Sequence, residues 1–290
     1  MRTLCLRLLA TLFLLLLGPW ARAALSCTTP QSTGFSTAYA AAGVVPNVSQ
    51  GTVNFTCTRS AGTDATSMLL SADDGAHPAG GGQNQAQNGK KNNIFYEVYK
   101  DSACGSVWTS KVQANFWLID LLNVLGTQSV SVSYWGCITL AGQLVSVGTY
   151  LDTVGMQVLD NKNHPFPGCT CKGSFDISIA SPATFEITAA PGDVAFSYTA
   201  FGPVVYASTT FMTTGTLDLP YTMALDADSG VVTGLNYNLN IDSQASPVSA
   251  RGSGAAQTHT INGSIPAGQA GTCTTGSCTS SRVHTLTITY

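Results

Sequence analysis

Arg282-Val-His-Thr-Leu-Thr-Ile-Thr-Tyr290 is the stretch from which the fold is read. Leu286, Ile288 and Tyr290 fall on one side of an extended chain and Thr285, Thr287 and Thr289 on the other, the period-2 pattern of a half-buried strand. The sequence stops at Tyr290, so nothing follows this strand to cover its free edge. A row of unpaired N–H and C=O groups beside apolar side chains invites a further strand. Val283, Leu286, Ile288 and Tyr290 are the candidate residues of an acceptor strand for a segment of another polypeptide.

At the other end, Arg2 and Arg7 precede an apolar run from Leu8 to Leu17, followed by Gly18-Pro19 and Ala21-Arg22-Ala23. A basic start, a short apolar core and a small-residue site predict a signal peptide over residues 1–23 with cleavage after Ala23. The run is too short to cross a bilayer. Residues 1–23 hold three of the 12 Lys and Arg residues and none of the 15 Asp and Glu, which leaves nine basic residues against 15 acidic ones. That balance argues against nucleic acid as a partner. Charged residues make up only 9% of the chain, and Gly, Ser, Thr and Asn abound, a composition of short strands and turns with almost no helix. Of nine cysteines, eight follow the predicted cleavage site, and an even number in an exported chain favours disulfides over metal ligation.

The sequence matches itself at four places in one order. Gly51-Thr-Val-Asn-Phe-Thr-Cys57 resembles Gly215-Thr-Leu-Asp-Leu-Pro-Tyr221, and Leu70-Ser-Ala-Asp-Asp-Gly75 resembles Leu225-Asp-Ala-Asp-Ser-Gly230. Tyr96-Glu-Val-Tyr-Lys-Asp-Ser102 answers to Tyr237-Asn-Leu-Asn-Ile-Asp-Ser243, and Ala141-Gly-Gln143 to Ala267-Gly-Gln269. Each copy closes on an alternating strand, 150–159 in the first and 282–290 in the second. Two domains are therefore expected, 24–163 and 173–290, joined by a Pro- and Gly-bearing linker over 164–172. Short alternating runs broken by turn clusters make each an antiparallel sandwich. His77 to Asn93, rich in Gly, Gln and Asn, reads as an exposed polar loop.

These residues resemble spore coat protein U domains, the pilin fold of archaic chaperone–usher pili. The resemblance is carried in the first copy by Cys27, Gly51-Thr52 leading to Cys57, Tyr96-Glu-Val-Tyr99, Ala141-Gly-Gln143 and Gly148-Thr-Tyr-Leu-Asp-Thr153. In the second it rests on Phe196, Gly215-Thr216, Tyr237-Asn-Leu239, Ile265-Pro-Ala-Gly-Gln269 and the terminal strand. It implies an all-β chain of two tandem immunoglobulin-like β-sandwich domains, the C-terminal one incomplete and completed by a donor strand in trans. The implied partners are a periplasmic pilus chaperone, an outer-membrane usher and an adjacent pilin subunit that donates the strand. Only Ala24, Leu25 and Ser26 stand between the predicted cleavage site and Cys27, about 10 Å of extended chain and too short to donate a strand in turn. An acceptor that cannot donate belongs at the pilus tip. The expectation is a non-enzymatic tip adhesin at the cell surface, without cofactor, that mediates attachment and biofilm formation. A structural or coat-type subunit without a receptor is the alternative, and a secreted carbohydrate-binding or hydrolytic sandwich a more distant one. Gly173-Ser-Phe-Asp-Ile-Ser-Ile179 alternates apolar residues and fits either a strand completing the first domain or the first strand of the second.

The resemblance pairs Cys27 with Cys57. Cys104 and Cys137 lie near strand ends and are candidates for a second bridge, and Cys273 and Cys278 for closing a small loop, with Cys169 and Cys171 left as alternative partners for each other or for either of those two. Asn115-Phe-Trp-Leu-Ile-Asp-Leu-Leu-Asn-Val-Leu-Gly126 has two readings, an exposed apolar loop that meets a target surface or a buried strand. Trp108, Phe116, Trp117, Leu118, Ile119, Leu121 and Leu122 are the candidate surface-binding residues on the first reading. No histidine stands with a nucleophile and an acid in a catalytic motif, and Asp226-x-Asp228-x-Gly230 lacks the closing Glu of a calcium loop.

Overall fold

The structure, a computed structural model, describes residues 25–39, 45–62, 64–80, 83–166 and 171–290. The expected signal peptide and Cys169 lie outside the described residues. The first part of the chain forms β1 (Ser26–Cys27), β2 (Gln31–Ser32), β3 (Phe35–Ala38), β4 (Asn47–Arg59), β5 (Ser67–Ala72), β6 (Asn84–Gln87), β7 (Asn93–Tyr99), β8 (Trp117–Asp120), β9 (Gly126–Ile138), β10 (Gly148–Asp160) and β11 (Lys172–Ser181). The second part forms β12 (Phe185–Ala189), β13 (Val205–Gly215), β14 (Pro220–Leu225), β15 (Ser229–Val232), β16 (Leu235–Ile241), β17 (Val248–Arg251), β18 (Ala256–Ile265) and β19 (Leu286–Thr289). Helix among the described residues amounts to one 3₁₀ turn at Gln113–Asn115, in line with the Thr- and Ser-rich composition.

In the first unit β1 and β2 pair with β4, which continues through β9 to β7, while β8, β5, β10, β11 and β3 make the facing layer. The hairpin of β6 and β7 joins the two layers. The stretch expected as a polar loop, His77 to Asn93, thus contains strand β6, because Asn84 and Ala86 turn inward and are buried against the core. Between the layers Trp108, Tyr134 and Phe175 pack ring against ring, with centroids 4.7–6.1 Å apart.

The strand that closes this unit is β11. It runs antiparallel to β10, from Gly148↔Ser181 to Gln157↔Lys172, and parallel to β3, from Ile177↔Phe35 to Ala180↔Ala38. Phe175, Ile177 and Ile179 fill the slot between the layers, each at most 2% exposed. Of the two readings of this segment, pairing selects completion of the first unit. The expected start of a second domain at residue 173 is displaced accordingly, since 172–181 belongs to the first set of sheets and the chain leaves it only after Ser181.

The second unit repeats the scheme with one layer of β12–β13–β18–β16–β15 and another of β17–β14–β19. Three of the four sequence matches fall on equivalent strands: β5 and β14, β7 and β16, and the Ala-Gly-Gln turns after β9 and β18. The fourth does not. Gly51 to Cys57 lies within β4, whereas Gly215 to Tyr221 crosses from β13 into β14, so Tyr221 is not the counterpart of Cys57. Pairing shows the true equivalence: Cys27 faces Cys57, and Phe185 faces Gly215. Where the first unit has a disulfide, the second lays a phenyl ring over a glycine that has no side chain to obstruct it.

The repeated turn has a physical role in both units. Gln143 takes the Phe95 amide on Oε1 (2.7 Å), donates Nε2 to the Phe95 carbonyl (3.1 Å), and gives its own amide to the Tyr39 hydroxyl (2.8 Å). Gln269 does the same with Asn236 (2.7 and 3.0 Å) and Tyr198 (2.9 Å). One amide side chain thereby supplies the pairing that a neighbouring strand would give the edge of β7 or β16.

If β11 is part of the first core, Phe175→Ala should destabilise that unit by about 3–5 kcal/mol, the range for emptying a buried aromatic site. Urea unfolding followed at Trp108, which stacks on Phe175, measures this, with a loss below about 1 kcal/mol contradicting the assignment. The half-buried Phe196→Ala should cost clearly less.

Candidate functional site

Among the described residues the second unit has no counterpart of β11. β19 pairs with β14 from Leu225↔Leu286 to Thr222↔Thr289, and its other edge has no strand partner among the described residues. Across the gap, Val194, Phe196 and Tyr198 alternate toward the core as Phe35 and Tyr39 do in the first unit, yet no strand pairs with them among the described residues. Phe196 presses on Gly263 as Phe35 presses on Gly136. The slot between these two edges leaves Phe185, Val194, Phe196, Tyr198, Leu286 and Ile288 half-buried, where the first unit buries its equivalents. Tyr290 reaches over the opening and stacks on Phe185 with centroids 5.2 Å apart.

Leu286, Ile288 and Tyr290 therefore line one edge of the slot, and Val283 does not. Val283 lies before the strand, is 86% exposed and is an odd number of residues from Leu286, so its side chain points away from the core. The approach to β19 is fixed by His284, whose Nδ1 meets Asp226 Oδ1 and whose Nε2 meets the Tyr237 hydroxyl, each at 2.6 Å. That hydrogen bond from His284 holds the Asp226 carboxyl below its ordinary range. A second connector of the same kind joins Asp242, His259 and Tyr221 at 2.7 and 2.9 Å. In both, the imidazole bridges a carboxylate and a phenol, which ties strands together rather than activating a nucleophile.

The apolar run of the first unit divides between core and surface. β8 pairs with β5 from Leu70↔Trp117 to Ser67↔Asp120, which turns Ile119 inward. Phe116, Ile119 and Leu121 are buried, Trp117 is half-buried, and Leu118 and Leu122 are exposed. Phe116, Ile119 and Leu121 are thus core residues and not surface-binding ones. Trp108 is corrected likewise: it is 0% exposed, and its indole N–H donates to the Leu70 carbonyl at 2.9 Å beneath β11. Val124 and Leu125 belong to the same apolar run but are not among the surface-binding candidates named above; they too stand exposed, beside Leu122. A cleft of about 640 Å³ between β8 and β9, lined by Trp117, Leu122, Ser131 and Trp135 among others, adjoins this loop.

Disulfides join Cys27 to Cys57 as the resemblance implies, Cys104 to Cys137 as a candidate pair, and Cys273 to Cys278, one of the pairings the sequence left open. Among the described residues no cluster of His, Cys, Asp and Glu has the arrangement of a metal site, and no helix is long and apolar enough to cross a membrane.

A model of the Spore Coat Protein U domain matches residues 13–157, half of the sequence. The chain is similar to a solved CsuC–CsuE chaperone–tip adhesion subunit pre-assembly complex from archaic chaperone-usher Csu pili of Acinetobacter baumannii, at 16% identity over 91% of this chain and 100% of that one, with a TM-score of 0.38. It is also similar to the CupB6 tip adhesin from Pseudomonas aeruginosa, at 9% identity over 84% and 89% of the two chains, with a TM-score of 0.38. Both likenesses are too distant to carry an argument. No curated relative matches the chain.

One titratable group of the first unit escapes sequence reading. Burial on β7 pushes the Glu97 carboxyl up from 4.5 to about 7, against the hydrogen bond it accepts from the Asn84 amide at 3.0 Å. Folding thus favours the protonated form, so Glu97 costs nothing below pH 4.5, costs progressively more as pH rises toward 7, and levels off above that. The Glu97→Gln chain should therefore gain stability relative to the parent across that window, and a pH-independent difference in urea midpoints would contradict the assignment.

Proposed function

Because the chain belongs to the Spore Coat Protein U domain family, we propose that it is the tip adhesin of a chaperone–usher pilus, with its first unit turned to the target and its second joined to the shaft by a strand supplied in trans. The observation that carries this reading is the contrast between the two units. One slot is filled by β11 from the same chain, and the other is open along the edges of β19 and residues 194–198. The pairing of β11 describes what the open slot accepts: an extended segment, antiparallel to β19, with apolar side chains at alternate positions.

Leu25 is buried and Ser26–Cys27 is paired with β4, so the described chain enters directly into the first sandwich. The first unit is thus closed at its slot, which suits a domain that faces outward. The second has one opening, which a periplasmic chaperone covers before an outer-membrane usher exchanges it for the neighbouring subunit. Export to the cell surface and a role in attachment and biofilm formation follow from that position. Leu118, Leu122, Val124 and Leu125, exposed on the closed unit, are the residues assigned to surface contact.

Co-expression with the cognate periplasmic chaperone tests the assembly half. Leu286→Asp and Ile288→Asp each place a charge in the slot and should reduce the recovered complex by about a hundredfold. Val283→Asp, pointing away, should leave it within about twofold. Recovery of the Ile288→Asp complex at parental yield would sink the proposal.

A further inference from the structure

The loop that exposes Leu122, Val124 and Leu125 is tied down from below by two polar side chains. Arg59 ends β4 opposite Gly126, the residue at which the loop enters β9, and is 1% exposed. Its Nη1 donates to the Asn123 side-chain oxygen at 3.0 Å and to the Leu122 and Val124 carbonyls at 3.4 Å. Its Nη2 donates to the Asp64 carbonyl at 3.0 Å and the Gly62 carbonyl at 3.4 Å. Gln128 holds the same loop from β9: Oε1 accepts the Leu122 amide at 2.7 Å, and Nε2 donates to the Leu122 and Val124 carbonyls at 3.0 and 3.4 Å. Asp64 fixes the adjoining turn by accepting the Ser60 and Ala61 amides at 2.7 and 2.9 Å.

A buried guanidinium is costly unless its protons find acceptors; here the acceptors of Nη1 and Nη2 come from two separate loops, while Nε has no partner among the described residues. The planar fork lets one side chain reach both, which an ammonium cannot do as well. The consequence falls on the far side of the loop. The Leu122 and Val124 carbonyls are engaged inward, so what the loop offers outward is aliphatic surface.

We infer that Arg59 and Gln128 are positioning residues that hold the 121–126 loop with its aliphatic side chains presented to an apolar target. The inference rests on the surface-contact reading above. Fixing the loop in the free protein removes the ordering cost that a mobile loop would bear on contact.

The test uses the full chain in complex with its chaperone, retained on octyl-derivatised silica against bare silica, with amide hydrogen exchange of the same samples. Leu122→Asp combined with Leu125→Asp should lower retention on octyl-silica by about tenfold or more and leave bare silica unaffected. Gln128→Leu and Arg59→Lys should speed exchange of amides 122–126 by about tenfold, lower octyl-silica retention severalfold, and leave the amides of β9 and β10 protected as in the parent. Gln128→Leu introduces no buried charge, so it gives the answer even where the Arg59 variant does not fold. Reduced retention for the double aspartate variant with parental exchange and retention for Gln128→Leu overturns the positioning role alone. Acceleration spread evenly over the whole first unit also overturns it, since that is the mark of lost stability and not of a released loop. Parental retention of the double aspartate variant overturns the surface-contact reading and this inference with it.

Discussion

One strand position governs the whole molecule, the place between β10 and β3 that β11 occupies. A sandwich with that position empty exposes two backbone edges and the apolar interior at once. In the first unit the chain itself solves this by continuing from β10 into β11, whose Phe175, Ile177 and Ile179 reach the middle of the core. The long β10, 13 residues from Gly148 to Asp160, is paired along one edge with β11 from Gly148 to Gln157 and on the other with β6 at Leu151 and with β5 from Met156 to Asp160. In the second unit the corresponding strand is four residues, Leu286–Thr289, and the chain before it takes no strand form.

Much of this was legible in the sequence, for reasons that differ from residue to residue. The alternation of Leu286, Ile288 and Tyr290 reported a strand with one buried face because period 2 is a property of the backbone and survives without its partner. The same rule excludes Val283, an odd step away, and applying parity strictly would have removed it. The Ala-Gly-Gln repeats marked equivalent turns because a glutamine that pairs with its neighbour's backbone is hard to replace; the tyrosines that complete the motif, Tyr39 and Tyr198, lie too far upstream for spacing to reveal them. The Gly51 and Gly215 match failed because two short similar strings sit at different offsets from their strands. The destination of β11 was open in the sequence, since an alternating segment between two domains fits either core equally well, and only three-dimensional pairing decides.

The polar residues show a common economy. With few charges available, most of the buried ones tie distant segments together: Arg59 joins the turn at Asp64 to the 121–126 loop, Asp152 takes the Tyr96 hydroxyl and the Ala76 amide, and His259 and His284 each link a carboxylate to a phenol. In a fold of short strands and long connections, such bridges do for the loops what hydrogen-bond ladders do for the sheets. None of them is visible to motif reasoning, because the partners stand between 17 and 76 residues apart in most cases and share no spacing.

Exposure of apolar side chains carries two different meanings in this one chain. In the second unit Phe185, Phe196, Leu286 and Ile288 are half-exposed around a slot that no strand fills among the described residues. In the first unit the slot is filled and the core is closed, yet Leu118, Leu122, Val124 and Leu125 remain outside. No further step of folding can relieve that exposure, since Phe116, Ile119 and Leu121 of the same run already occupy the inner positions. An incomplete core calls for a missing part of the fold, whereas apolar residues left outside a complete one call for something the fold is meant to meet. On the function proposed above, that difference separates the end of the chain that joins an assembly from the end that faces a target.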